Sequence, residues 1–192
     1  MSKFEPLRFK ISGTSPLLMH NGQLADPMSE HAKSIARITA KRRKVEADHR
    51  ELARQEFLGG LYLSGGVPCI PAEMMEAALV KSAMHEKRGP AAKAGLFVPG
   101  NIRLDYDGPS DPHHLWEDPR FRFRCLVRVG TSRLIRTRPR FDNWACTLTI
   151  EYMPDLLNPR EVTSFIVTAG TLVGIGDWRP KFGRFMAEPM EA

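Results

Sequence analysis

Alternating apolar and polar residues predict three main strands. This period-two pattern places successive side chains on opposite faces of a strand. The apolar positions of the three predicted strands are Leu7, Phe9 and Ile11, then Phe121, Phe123, Cys125, Val127 and Val129, then Trp144, Cys146, Leu148, Ile150 and Tyr152. A last short strand is expected at residues 185–187.

Apolar residues at helical spacing predict two helices that each bury one face. The first follows Pro71 and covers residues 72–87, with Met75, Ala78, Leu79 and Met84 near one face. The second has the stronger start signal. Its predicted buried positions are Val162, Phe165, Ile166, Ala169 and Leu172.

The start of that second helix is marked by three successive cues. Asn158 suits the N-cap, Pro159 suits the first helical position, and Glu161 is placed for a capping box. The helix is expected to end near Gly174.

A third helix is predicted from Ser29 to about Phe57, and it is unusually polar. Its apolar stripe is narrow, and basic residues cover much of the remainder. Two interpretations stay open: a solvated helix, or a basic projection that touches phosphates. The basic run that favours the second is Lys41, Arg42, Arg43 and Lys44.

Two shorter regions complete the pattern. Gly65 and Gly66 predict the turn of a small hairpin. Residues 88–118 are rich in Gly, Pro, Asp and His, so we expect an irregular segment with one short strand at residues 102–106. His113 and His114 are adjacent, and in an extended segment they would point apart, which disfavours a metal site.

The order of the main elements is strand, helix, strand, strand, helix, strand. This order predicts an α+β, ferredoxin-like βαββαβ fold, in which both helices cover one face of an antiparallel sheet. We expect a single domain over residues 1–192, with insertions at 21–60 (the basic helix) and 88–118 (irregular). The open sheet face would then carry Arg8, Lys10, Arg122, Arg124 and Arg128.

Arginines are concentrated between residues 120 and 140, where lysine and acidic residues are absent. They are Arg120, Arg122, Arg124, Arg128, Arg133, Arg136, Arg138 and Arg140. Solvated strands usually mix Lys, Glu and Thr, whereas arginine alone favours planar contacts with phosphate. We predict nucleic-acid contact here, with residues 130–143 as a hairpin loop; a solvated surface strand is the alternative.

The segment after the last helix combines glycines with cations. Gly174, Gly176 and Gly183 would let backbone amides approach a ligand closely. The accompanying side chains, Trp178, Arg179, Lys181 and Arg184, favour an anionic ligand. The alternative is a purely structural turn. The spacing matches neither a Walker loop nor a dinucleotide fingerprint.

Composition supports an anionic partner. The chain has 192 residues, a net charge of +6 and a pI near 9.5, which favours nucleic acid.

Cys69, Cys125 and Cys146 are unclustered, so we expect buried free thiols, no metal and no cofactor. A signal core and a membrane-spanning run are both lacking in the sequence. We therefore expect a cytoplasmic protein.

Three segments resemble the RAMP superfamily of CRISPR-associated proteins, and most closely its backbone subunit. They are KISGTSPLLMHNG after the first strand, VPCIPAEMMEAALVKSA in the middle, and AGTLVGIGDWRPKFGRF near the end. Together they cover about a third of the chain. Ala72, Glu73 and Glu76 depart from the usual pattern of the middle segment.

The resemblance implies an RRM-like palm and a non-enzymatic subunit that binds single-stranded, crRNA-like RNA. It further implies that a complementary target strand and other effector-complex subunits are partners. It also implies homo-oligomerisation along that RNA in a helical ribonucleoprotein filament of an antiviral defense system. Relatives that cut RNA make His20 and Asp26 weak catalytic candidates. Two alternatives remain open: a metal-independent endoribonuclease that processes guide RNA, and a structural or assembly protein.

Overall fold

The computed structural model describes residues 3–191 and shows an α+β protein with antiparallel sheets. Its strands are β1 (Glu5–Gly13), β2 (Leu17–Leu18), β3 (Leu63–Ser64), β4 (Val67–Ile70), β5 (Leu96–Phe97), β6 (Ile102–Arg103), β7 (Arg122–Val129), β8 (Ser132–Phe141), β9 (Ala145–Tyr152) and β10 (Phe185–Pro189). Its six helices are α1 (Glu30–Thr39), α2 (Glu46–Gly60), α3 (Ala72–Ala83), α4 (Gly89–Gly95), α5 (Pro112–Glu117) and α6 (Pro159–Thr168).

The described chain forms two compact units. Unit 1 comprises residues 3–17, 69–107 and 142–191, and unit 2 comprises residues 18–68 and 108–141. The expectation of one RRM-like domain over the whole chain stays a prediction. Among residues 3–191, no helix has both the length and the apolar character that crossing a membrane requires.

Unit 1 is built on an antiparallel sheet with the strand order β10-β1-β9-β5. Phe9 lies opposite Leu148 and Ile11 opposite Cys146, and all four side chains are buried. Helix α6 contacts α3 and also β10. The sheet face that carries Phe9 and Ile11 is the buried one, since the side chains between them are exposed or half-buried. Burial also raises the pKa of the Cys146 thiol to about 12, which keeps it protonated and unreactive at neutral pH.

The predicted start of α6 is confirmed. The Asn158 side chain accepts a hydrogen bond from the Glu161 amide, and the Glu161 carboxylate accepts one from the Asn158 amide. The helix ends in a π-helical turn, Ala169–Val173, before Gly174. The wider turn shifts the buried face by one position, so Val173 is buried and the prediction for Leu172 was wrong.

The first predicted helix, α3, is shorter than its pattern indicated. Met75, Ala78 and Leu79 are buried as expected. The chain then tightens into a 3-10 turn that ends at Lys87 with a left-handed backbone. That turn rotates Met84 into solvent, where 62% of the residue is exposed.

Unit 2 contains the hairpin of β7 and β8. The strand predicted at residues 121–129 is confirmed as β7, but its predicted place in the main sheet was wrong. Strand β7 pairs with β8 and not within the four-stranded sheet, whose remaining place is taken by β5. Val129 pairs with Ser132, so a two-residue turn joins the strands, and Gly130 in this turn has a φ of 59°. Pairing across such a short turn has a small entropic cost of loop closure, which favours β8 as the partner of β7.

Residues 132–141 therefore form a strand, although the sequence predicted a hairpin loop. Leu18 of β2 extends the sheet to the order β2-β8-β7, and the Met19 amide donates to the Pro139 carbonyl. Helix α2 packs against β8. Thr137 and Phe141 are buried on the face that the helix covers.

The predicted helix from Ser29 to Phe57 is interrupted, giving α1 and α2. The Ser29 side chain caps α1. The second helix has its own N-terminus, because the Asp48 carboxylate accepts a hydrogen bond from the Val45 amide. The basic run at residues 41–44 consequently lies in the connection between the helices.

The hairpin at Gly65 and Gly66 is confirmed, with both glycines at positive φ. Residues 88–118 are more regular than predicted, since they contain α4, β5, β6 and α5. Helix α5 is capped by Asp111, whose side chain accepts hydrogen bonds from the amides of His113 and His114. This cap was missed in the sequence. The three cysteines are free and buried, as expected.

Candidate nucleic-acid interface

The positive charge of the chain is concentrated in unit 2. That unit holds 16 of the 28 Lys and Arg residues and 9 of the 22 Asp and Glu residues, a net charge of +7. The remainder of the chain has a net charge of −1. A polyanion would therefore be attracted to unit 2 and not to the chain in general.

Four arginines share one face of the β7–β8 hairpin: Arg122, Arg124, Arg128 and Arg133. Arg128 lies directly opposite Arg133, and two like charges in that position destabilise a strand pair. Within residues 3–191, no carboxylate lies within 4.0 Å of any of the four guanidinium groups. A bound anion would offset this repulsion.

The same face carries an exposed apolar pair between the arginines. Leu126 lies opposite Ile135, and 54% and 50% of these residues are exposed, respectively. The outer part of the hairpin therefore offers cations beside apolar surface, which suits phosphates together with sugars or bases.

A cleft of about 440 Å³ lies within unit 2, where α2 and α5 meet the start of β7. Helix α2 contributes Glu46, His49, Arg50 and Ala53, which share one helical face by their spacing. Strand β7 contributes Arg122 and Arg124, and α5 contributes Trp116. Three arginines and one carboxylate therefore line the cleft, beside the aromatic ring of Trp116.

Aromatic stacking positions one of the cleft arginines. The Arg122 guanidinium carbon lies 5.0 Å from the centre of the Trp116 ring, and Phe57 packs on Trp116 with 5.5 Å between ring centroids. A stacked guanidinium keeps its edge available for hydrogen bonds.

The neighbouring Asp118 carboxylate binds Arg120, and this contact lowers the pKa of Asp118.

The remaining hairpin arginines have different environments. Arg136 forms a 2.5 Å ion pair with Glu56, which is buried. Arg140 lies over the Phe123 ring at 5.5 Å. Arg138 is on the same face as Arg136 and opposite Phe123. The predicted binding set is thus divided between two faces, and Arg136 is bound internally.

The run Lys41 to Lys44 is partly engaged in local structure. Lys41 pairs with Asp48 at 2.5 Å, and this contact lowers the pKa of the Asp48 carboxyl group. The Lys44 ammonium donates to the Lys41 carbonyl. Arg42 and Arg43 are exposed. Two of the four predicted cations therefore help to shape the connection between α1 and α2.

The glycine-rich segment of unit 1 uses many of its amides internally. Ile175 donates to the Gly183 carbonyl, and Gly183 donates to Pro16. The amide of Arg184 donates to the Ser15 hydroxyl. These amides do not face outward, contrary to the prediction. The predicted contact residues Trp178, Arg179, Lys181 and Arg184 are exposed.

The open sheet face of unit 1 is not the row of cations that the sequence predicted. Arg8 and Lys10 are exposed on it, but Lys10 lies opposite Glu188 and Glu151 lies on the same face. Opposite charges across strands stabilise a sheet. Arg122, Arg124 and Arg128 lie elsewhere, because β7 belongs to unit 2.

The two catalytic candidates lie in the connection between β2 and α1. His20 is exposed and its carbonyl accepts a hydrogen bond from the Tyr62 hydroxyl. Asp26 is exposed and accepts a hydrogen bond from the Met28 amide. Among the described residues, no cluster of three or more His, Cys, Asp or Glu side chains is placed to hold a metal ion.

Sequence reasoning missed His49, Arg50 and Trp116 as site residues. The spacing of residues 46, 49, 50 and 53 was the available signal for one helical face. Nothing local indicated that this face meets Trp116, because the contact is set by the fold.

Comparison of the chain with protein-family models and with curated proteins finds no match in either set.

Proposed function

We propose that this protein is a cytoplasmic, non-enzymatic subunit that binds single-stranded RNA and oligomerises along it, as a backbone subunit of a CRISPR-type ribonucleoprotein. RNA would be held mainly through its phosphates by the β7–β8 hairpin. The observation that carries the proposal is the outer end of the hairpin face with Arg128 and Arg133, which is cationic and has no carboxylate partner among the described residues.

The fold supports this proposal through unit 1, which we propose to be a ferredoxin-like, RRM-like palm. The connections β1–α3–β5 and β9–α6–β10 interleave in the sheet order β10-β1-β9-β5, the split β-α-β arrangement. Two of the resembling segments also meet, because the amides of Thr14 and Ser15 donate to the Arg184 carbonyl.

The test is the salt dependence of RNA binding by the full chain. For single strands, the log-log slope of affinity against salt is about −0.7 per neutralised phosphate. The double variant Arg128→Gln/Arg133→Gln should weaken binding about tenfold near 0.1 M salt and reduce the slope by about 1.4. Binding to oligonucleotides of different base sequence should weaken alike, measured by fluorescence anisotropy.

The matched control is Lys81→Gln/Lys93→Gln, which removes the same charge from exposed positions of unit 1. It should leave the slope unchanged. Sizing before and after nuclease treatment tests assembly, since RNA-dependent oligomers should dissociate. Equal losses in both double variants, or assemblies that persist after nuclease treatment, would contradict the proposal.

A further inference from the structure

The cleft of unit 2 lies at the base of the hairpin face whose exposed outer end carries Arg128 and Arg133, and it differs from that outer end in shape. It is a concave site of about 440 Å³, near the small end of the range of about 300–1,000 Å³ for small-molecule sites. The hairpin face would track a chain of phosphates, whereas a cleft of this size accommodates one small ligand. We infer that it binds a nucleoside phosphate monoester.

Charge complementarity supports a monoester over an internal phosphodiester. Three guanidinium groups line the cleft, from Arg50, Arg122 and Arg124, against the one carboxylate of Glu46. A phosphate monoester carries about −1.5 to −2 charges at neutral pH, whereas an internal phosphodiester carries one. The excess of cations therefore matches a terminal phosphate better than a phosphate within a strand.

The cleft lining combines arginines with one small apolar side chain, that of Ala53. Arg122 is stacked on Trp116, so its position is fixed before a ligand arrives and little side-chain entropy is lost on binding. Ala53 is half-buried in the cleft wall, and its small side chain leaves room beside the arginines. The phosphate would lie against the guanidinium groups and the nucleoside beside Ala53.

Two sources could supply this chemistry: a free mononucleotide, or the phosphorylated end of an RNA strand. The inference rests on the proposed function only for the second source. Isothermal titration calorimetry of the full chain with 5′-AMP, adenosine and inorganic phosphate examines the first. RNA oligonucleotides that differ only in a 5′-phosphate or 5′-hydroxyl examine the second.

Ala53→Leu is the decisive variant, because it fills the cleft without changing charge and preserves helix propensity. Together with Arg124→Gln, it should weaken 5′-AMP binding by about tenfold or more. Lys81→Gln is the control, since it removes one exposed positive charge from unit 1 and does not line the cleft. It should leave 5′-AMP binding unchanged.

The outcomes separate the two proposals. A preference for 5′-phosphorylated RNA that Ala53→Leu abolishes assigns the cleft to strand ends, and 5′-AMP binding without that preference assigns it to free nucleotides. Failure of every monoester to bind, or binding that Ala53→Leu leaves intact, overturns the inference. The proposed function fails separately, when Arg128→Gln/Arg133→Gln leaves RNA affinity and its salt slope unchanged. Circular dichroism and thermal unfolding verify that each variant is folded.

Discussion

Replacing Glu56 by alanine is expected to destabilise the protein by about 3 kcal/mol or more. Glu56 is only 3% exposed. Its carboxylate pairs with Arg136 and also accepts a hydrogen bond from the Thr137 amide at 2.8 Å. The substitution leaves a partly buried guanidinium without its partner and a buried amide unsatisfied. Urea unfolding followed by circular dichroism measures the loss.

Glu51→Ala is the matched control on the same helix. Glu51 pairs with Arg54, but it is much more exposed than Glu56, so its loss should cost less than about 1 kcal/mol. Glu56→Gln should fall between the two, because the amide oxygen can still accept from Thr137. Equal unfolding free energies for Glu56→Ala and the wild type would show that this ion pair does not hold β8.

This prediction has a consequence for the assignment of binding arginines. Arg136 belongs to the dense run of arginines, yet its guanidinium is part of the support for β8. Its substitution would therefore weaken RNA binding through loss of folding. Arg128 and Arg133 are the appropriate positions for testing phosphate contact, since their removal relieves a like-charge pair.

Local patterns predicted the parts of the fold that depend on neighbouring residues. Alternation identified β1 and β9, and the Asn158, Pro159 and Glu161 triplet identified the start of α6. The strand β8 was missed, because Leu134 and Ile135 are adjacent and because Pro139 is unfavourable within a strand. What defines β8 is its pairing with β7 and its burial under α2.

The candidate site depends almost entirely on contacts between distant residues. Glu56 and Arg136 are separated by 80 positions, so no sequence window contains both. The cleft likewise joins α2 to Trp116 and to the start of β7. Composition correctly indicated a basic, arginine-rich region, but it could not distinguish a guanidinium held by a buried carboxylate from one that faces solvent.

Replacing Gly183 by alanine should destabilise unit 1 by more than about 3 kcal/mol, because two costs combine. The residue has a φ of 72°, and an added Cβ would lie 1.8 Å from the Ile175 carbonyl oxygen. The clash would also break the hydrogen bonds that join the segment to Ile175 and Pro16. Thermal or urea unfolding of the variant measures the effect.

Gly65→Ala is the control that separates the two costs. Gly65 also has a positive φ, of 59°, but no atom lies within 4 Å of an added Cβ, so only backbone strain of about 1–2 kcal/mol is expected. The difference between the variants measures the close packing at Gly183. If Gly183→Ala folds with normal stability but loses RNA binding, the glycine-rich segment contacts the ligand through its backbone. A stability loss that greatly exceeds that of Gly65→Ala would instead assign these glycines to the fold, with phosphate contact left to the side chains of Lys181 and Arg184.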